Sequence, residues 1–292
     1  MVMFYRRLPK FEYLRPTSLQ EVLSLLAQYK GKARVLAGGT DLVPKLKRRE
    51  IEPPSYLIDI KGIEGLDYIK YDEIEGLKIG ALATIHAVET SPIVKERFPV
   101  LAQAAYSIGS VQVRNRGTVA GNICNAVPSA DTAPALLTLQ ARVKLVSEKG
   151  ERWVDIEEFF TGPKETILTD EEMLLEIAVP NLPLSHKGIY LKLSPRRSMD
   201  LAVVGVAVVA IPEDGVLRDI RIALGAVAPT PIRARRAEEV LRGRNPNEEL
   251  IKKAAQIAEE EARPIDDHRA SAWYRKKMVN VLVKRALQQV IS

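Results

Sequence analysis

The sequence predicts an α+β protein in two parts, and three observations carry that reading. Strand-like and helix-like stretches do not alternate as repeated units; the C-terminal third reads instead as strands followed by three helices, the order of an α+β layer. Pro180-Asn181-Leu182-Pro183-Leu184-Ser185 is the best linker in the chain. At 292 residues the chain can bury roughly 75% of its unfolded surface and divide into about two domains. Hydrophobic residues at 46% and charged residues at 27% exclude the disordered and fibrous classes.

Taken in order, the elements justify themselves locally. Ser18 and Glu21 stand at capping-box spacing and open a helix with the stripe Leu19, Val22, Leu25 and Leu26, for which Gly31 is a stop. Residues 33–37 read as a short buried strand running into Gly38-Gly39-Thr40-Asp41 and a second helix through about Arg48. Strands are expected at 55–60, 66–71 and 77–81. From Thr84 the period lengthens, giving helical segments over 84–89, 91–97 and 99–107. Ser129 with Asp131 begins a helix through about Leu139, and 141–146 and 172–179 read as strands. Beyond the linker come strands at 188–193, 202–211 and 216–226, then helices at 232–242, 247–262 and 270–291.

Charge and composition narrow the function classes. Forty-three Lys and Arg residues against 37 Asp and Glu give a net charge of +6, but the basic residues are scattered and aromatics are only 5%, so no nucleic-acid stripe forms. No apolar run approaches the ~20 residues of a membrane helix. The first residues, Met1 to Arg7, lack the order of a signal peptide, and Cys124 alone cannot form an intrachain disulfide, so a cytoplasmic address is expected. One cysteine and the separated His86, His186 and His268 do not make a metal site, and no catalytic triad or paired-carboxylate motif stands out.

The stretch from Arg114 to Thr132 carries site chemistry. It packs small residues, hydroxyls, asparagines, Cys124 and Asp131 between apolar runs, a composition suited to a polar ligand lying against backbone. Residues 33–48 offer a strand, a glycine turn and a helix start, which exposes backbone N–H groups where a phosphate can be held. Taken alone, that pair of glycines also reads as a plain tight turn, and the dinucleotide fingerprint Gly-x-Gly-x-x-Gly is missing after Val35.

Together, Val35-Leu36-Ala37-Gly38-Gly39-Thr40-Asp41-Leu42 and Thr118-Val119-Ala120-Gly121-Asn122, about eighty residues apart, with Asn125 through Asp131 and the linker-plus-α+β tail, resemble the FAD-binding medium subunit of the molybdenum hydroxylases. That family includes aerobic carbon monoxide dehydrogenase, xanthine dehydrogenase and aldehyde oxidoreductases. The resemblance covers nearly the whole chain. It implies a two-part FAD-binding domain of the p-cresol methylhydroxylase type over 1–178, with subdomains of about 1–56 and 57–178, and a carbon monoxide dehydrogenase flavoprotein C-terminal domain over 186–292.

It also implies non-covalent FAD held by two pyrophosphate-binding loops, 35–42 and 118–122, with Ile108, Asn125, Asp131, Leu174 and Lys192 as further contacts. Leu174 and Lys192 match positions near the isoalloxazine ring, where a cation would favour the reduced, anionic form. Many members carry glycine where this chain has Ala120, a departure that matters if the loop needs positive φ. Cys124 is expected as a small buried residue, and His86 as a structural one.

In such an assembly, substrate is oxidised at molybdopterin in a large partner, and electrons pass through [2Fe-2S] clusters in a small partner to FAD, which reduces an external acceptor. The alternatives are a self-contained flavin-dependent oxidoreductase of the same wider fold and a cofactor-free binding or assembly protein.

Overall fold

The computed structural model describes residues 7–196 and 198–291, so the stretch read for a targeting signal lies outside the described residues apart from Arg7. The chain opens with β1 (Glu12–Leu14), α1 (Leu19–Gln28), β2 (Ala33–Leu36), α2 (Leu42–Arg48) and β3 (Tyr56–Asp59). The strands form a parallel sheet of order β1-β3-β2, which requires crossovers, and α1 and α2 supply them. Ser18 caps α1, its Oγ accepting from Glu21 N at 3.2 Å. The Glu21 carboxylate reaches one residue further back than a capping box requires and accepts from Thr17 N at 2.8 Å.

A second sheet is antiparallel, of order β4-β5-β10-β6-β7, built from β4 (Ile69–Asp72), β5 (Gly76–Gly80), β6 (Arg142–Ser147), β7 (Gly150–Asp155) and β10 (Met173–Val179). Between β5 and β6 run α3 (Ile85–Thr90), α4 (Pro92–Arg97), α5 (Pro99–Tyr106), α6 (Val111–Arg114), α7 (Val119–Cys124) and α8 (Thr132–Thr138). Between β7 and β10 lie α9 (Ile156–Phe159) and the small ribbon of β8 (Phe160–Gly162) and β9 (Glu165–Thr166).

After the linker come β11 (Lys187–Leu193), β12 (Val204–Glu213), β13 (Val216–Gly225), β14 (Ile232–Arg233), α10 (Arg235–Leu241), α11 (Glu248–Glu261) and α12 (Ala272–Ile291). The strands pair antiparallel in chain order. The helix expected from residue 232 starts three residues later. Ile232 and Arg233 instead pair with Leu224 and Ala223, and Arg233 forms a buried ion pair with Glu238 at 2.6 Å.

Where the core sits explains why β12 reads as a continuous apolar run. Its residues 204–211 are all buried. Val204, Val206, Val208 and Ala210 pack with α10, α11 and α12; Ala207, Val209 and Ile211, on the other face, join the core that contains Leu101, Ala104 and Leu137 of α5 and α8. A strand buried on both sides has no polar alternation to show. Among the described residues, no helix is long and apolar enough to cross a membrane.

Candidate functional site

A cavity of about 1120 Å³ lies between the parallel sheet and the second, helix-bearing part. That volume lies just above the ~300–1,000 Å³ range of small-molecule pockets and suits a ligand of dinucleotide size. Of the eighteen sequence-predicted contacts, Val35, Leu36, Ala37, Gly38, Gly39, Thr40, Asp41, Leu42, Ile108, Thr118, Ala120, Gly121, Asn122, Asn125, Asp131 and Leu174 all line it. Val119 and Lys192 do not line it.

The first wall is the turn from β2 into α2. Gly39 takes φ +73°, a left-handed conformation that favours glycine, and its carbonyl accepts from Val43 N at 3.1 Å. Among the described residues, the amides of Gly38, Gly39, Thr40 and Asp41 have no hydrogen-bond partner in the protein. Gly38 is required for a different reason. A Cβ built there would lie 2.0 Å from the carbonyl oxygen of Arg116, so the two ligand-facing segments touch backbone to backbone.

The second wall is a helix opening where the sequence suggested a loop. Thr118 caps α7, its Oγ1 accepting from Gly121 N at 2.9 Å. The cap is anchored to the strand exit below it, with Val119 N donating to Ala83 O at 3.3 Å and Ile85 N to Gly117 O at 2.9 Å. Helical periodicity decides which side chains face the cavity: Val119 turns wholly into the core while Ala120, Gly121 and Asn122 line the cavity. It also answers the question of Ala120, which sits in right-handed helix and needs no positive φ. Asn122 Oδ1 accepts from Thr132 Oγ1 at 2.6 Å and ties α7 to α8.

Charge enters at two places. On α2, Lys45 Nζ donates to Asn125 Oδ1 across the cavity, one turn beyond Asp41. Burial raises the Asp41 pKa, opposed by Lys45, and burial lowers that of Lys45, opposed by Asp41. Lys164, in the β8–β9 turn at φ +66°, also faces the cavity. Sequence reasoning missed both lysines. Lys45 was detectable, because it lies four residues from Asp41 on one helix face; Lys164 has no local signal, since only the ribbon's fold brings it there.

The other place is Asp131, buried at 5% exposure on the cavity wall. Lys192 donates from Nζ to Asp131 Oδ2 at 2.8 Å and to Ser107 O at 3.0 Å, so its ammonium stands at a carboxylate that lines the cavity. Tyr190, also unforeseen, donates from its hydroxyl to Asp131 Oδ1 at 2.7 Å. Burial raises the Asp131 pKa against the pull of Lys192. Cys124 also lines the cavity, and burial pushes its thiol up to about 12, so it is no nucleophile at neutral pH. His86 lies outside the cavity lining, with Nδ1 3.4 Å from Glu89.

Unpaired amides, a backbone contact that excludes side chains, and small polar groups along one long cavity fit a pyrophosphate and a polyol chain. They define a protein that holds a dinucleotide cofactor.

Residues 9–182 match a family described as the FAD binding domain in molybdopterin dehydrogenase, and 189–290 match the CO dehydrogenase flavoprotein C-terminal domain. The chain is 38% identical over 282 residues to the glyceraldehyde dehydrogenase medium chain of Sulfolobus acidocaldarius, covering 97% of this chain and 99% of that one. It is also 38% identical over 279 residues to the carbon monoxide dehydrogenase medium chain of Hydrogenophaga pseudoflava, covering 96% of each. A solved structure of carbon monoxide dehydrogenase from Hydrogenophaga pseudoflava superposes with a TM-score of 0.93 at 38% identity, over 97% of this chain and 98% of that one. Quinoline 2-oxidoreductase from Pseudomonas putida 86 does so at 0.91 and 30%, over 98% of each. The chain belongs to the FAD-binding medium subunits of the molybdenum hydroxylase family and is an oxidoreductase subunit.

Proposed function

We propose that this chain is the electron-transfer subunit of a molybdenum-containing hydroxylase. A large partner with molybdopterin oxidises the substrate, a small partner with [2Fe-2S] clusters relays the electrons, and they leave from this chain to an external acceptor. The observation that carries the reading is the pair of backbone walls meeting at Gly38 and Arg116, with the unpartnered amides of 38–41 beside them.

The unpartnered amides of Gly38, Gly39, Thr40 and Asp41 would hold the pyrophosphate. Asn122 and Asn125 would face the ribityl chain, and Ile108 and Leu174 would offer apolar flanks. FAD, when bound, supplies a group able to exchange electrons singly or in pairs. The protein's part is to bind, orient and set the charge around it. In this proposal, 1–178 and 186–292 act as the FAD-binding and C-terminal domains, and the address is cytoplasmic. Relatives named for glyceraldehyde, carbon monoxide and quinoline share the architecture, which supports placing substrate choice in the large partner.

The test is isolation of the tagged chain from its native host. A large molybdenum subunit and a small iron–sulfur subunit are expected to copurify, with flavin absorbance in this chain. A chain that comes down alone and oxidises a substrate with nicotinamide would identify a self-contained flavoenzyme. Colourless protein that takes up no added FAD would identify a cofactor-free protein.

A further inference from the structure

The end of β3 anchors a cation against the glycine turn. Asp59 is only 5% exposed, and its carboxylate is held at both oxygens. The Tyr13 hydroxyl of β1 donates to Oδ2, and Lys61 donates to Oδ1 from its backbone N–H at 3.0 Å and from Nζ at 2.7 Å. Burial pulls the Asp59 pKa up, but these hydrogen bonds outweigh it and hold the group below the usual carboxylate range, so it is charged at neutral pH. The same Nζ donates to Ala37 O at 3.3 Å. That contact prolongs the sheet. Leu36, opposite Asp59, is the last residue of β2, and Ile60 N donates to its carbonyl at 3.2 Å; the lysine ammonium takes the next carbonyl along. Tyr13 on β1, Asp59 on β3 and the exit of β2 thus meet at one peptide group, that between Ala37 and Gly38.

Peptide geometry gives the contact a use. In a trans peptide the C=O and N–H point to opposite sides, so a cation fixed on Ala37 O turns Gly38 N–H away from itself. Gly38 borders two cavities. Lys61 and Arg116 line the smaller, of about 440 Å³, and the residues with unpartnered amides, 38–41, line the larger. We infer that Lys61, anchored by Asp59, is a positioning residue for the cofactor, which by holding Ala37 O aims Gly38 N–H at the pyrophosphate. This rests on the FAD reading above. Paired with Asp59, Lys61 adds no net charge at the loop, and it stands at the carbonyl end of a peptide whose N–H end meets the phosphate. It acts by orientation.

Titration of the full-length apo chain with FAD tests this, followed by flavin fluorescence, with ADP as a competitor that carries the pyrophosphate without the flavin. Lys61→Met is expected to weaken FAD and ADP by the same factor, about tenfold, the scale of one hydrogen bond from a charged group. The factor is expected to be equal at about 0.01 M and about 1 M ionic strength, between which the screening length falls from about 30 Å to about 3 Å. Lys61→Arg, which keeps a donor for Ala37 O, is expected to restore most of the affinity. In the apo chain the amide resonance of Gly38 is expected to shift in Lys61→Met and to return toward its wild-type position in Lys61→Arg. The double variant Asp59→Asn with Lys61→Met leaves no unpaired buried charge, and it is expected to show the same loss as Lys61→Met alone. No loss in Lys61→Met, or a loss for FAD without one for ADP, would overturn the inference. So would a loss confined to low salt, since the ammonium would then meet the phosphate directly, or affinity regained in the double variant, since the unpaired Asp59 would then be the cause. A wild-type chain that takes up neither FAD nor ADP would instead sink the cofactor reading.

Discussion

At position 38 the side chain is dictated by a residue far away in sequence. The Arg116 carbonyl approaches so closely that a Cβ would sit 2.0 Å from its oxygen, and 2.8 Å from Gly117 Cα. Neither neighbour is a flexible side-chain end, so any side chain must push the two walls apart. Gly38→Ala is therefore expected to destabilise the apo chain by about 2–3 kcal/mol, the scale of overpacking in a filled site. It should also sharply weaken FAD uptake, because the displaced backbone carries the unpartnered amides. Urea unfolding of the apo form and a flavin fluorescence titration measure the two effects. Unchanged values for both would mean that the walls do not meet as described. Gly39 differs in kind, since its φ of +73° is the constraint.

Among the elements, those with strong apolar periods were legible and those set by distant partners were not. The glycine turn after β2 and the cap at Ser18 could be read because their causes are local. The strand β7 escaped because only Val154 is buried on an edge that otherwise faces water, which leaves no alternation to detect. Residues 118–122 read as a loop because glycine and asparagine weaken a helix. Thr118 as cap and the anchoring to Ala83 and Ile85 overrule them. The site's glycines and Asp131 were accessible from the sequence; Tyr190 and Lys164 were not, because only tertiary packing brings them in.

The approach to α12 shows the same dependence on distant groups and makes a pH prediction. Arg275 is buried and donates to Val203 O at 2.8 Å, Ala226 O at 3.0 Å and Asp267 Oδ1 at 2.7 Å. Burial pulls the Asp267 pKa up, but the amides of Arg269 and Ala270 and the Arg275 guanidinium outweigh it, and the group sits at about 2 against an ordinary 3.8. A folded pKa below the unfolded one gives stability that is present above about pH 4 and lost as pH falls toward 2. Thermal melting is thus expected to drop across that window, and Asp267→Asn should flatten part of the drop while lowering the melting temperature at neutral pH. Asp41 and Asp131, whose pKa values burial raises, act in the opposite sense and are common to both proteins, so the difference isolates Asp267. Parallel acid profiles for the two would refute the assignment.

For the whole molecule, the linker in the sequence is not a division in the core. The segment after β10 is itself tied down, with Tyr71 donating to Asn181 Oδ1 at 3.0 Å and Asn181 Nδ2 to Glu73 O at 2.7 Å. Beyond it, β11 packs on α5, and β12 and β13 pack on α8. The contact is close enough that a Cβ at Gly188 would lie 3.2 Å from Val100, and one at Gly225 only 2.8 Å from Pro134. Tyr190, Ala207, Val209, Ile211 and Ala223 are therefore part of the same core as the helices that carry the cofactor wall. Removing the C-terminal part would expose that apolar face and also strip Asp131 of Lys192 and Tyr190, leaving a buried carboxylate without its cation. A chain ending at residue 182 is expected to aggregate or to remain loosely packed, and the full chain to melt in one calorimetric transition with equal calorimetric and van't Hoff enthalpies. Two resolved transitions, together with a 182-residue piece that folds and binds FAD alone, would show that the C-terminal sheet is an appendage; a single transition makes it part of one cooperative core with the helices that carry the cavity wall.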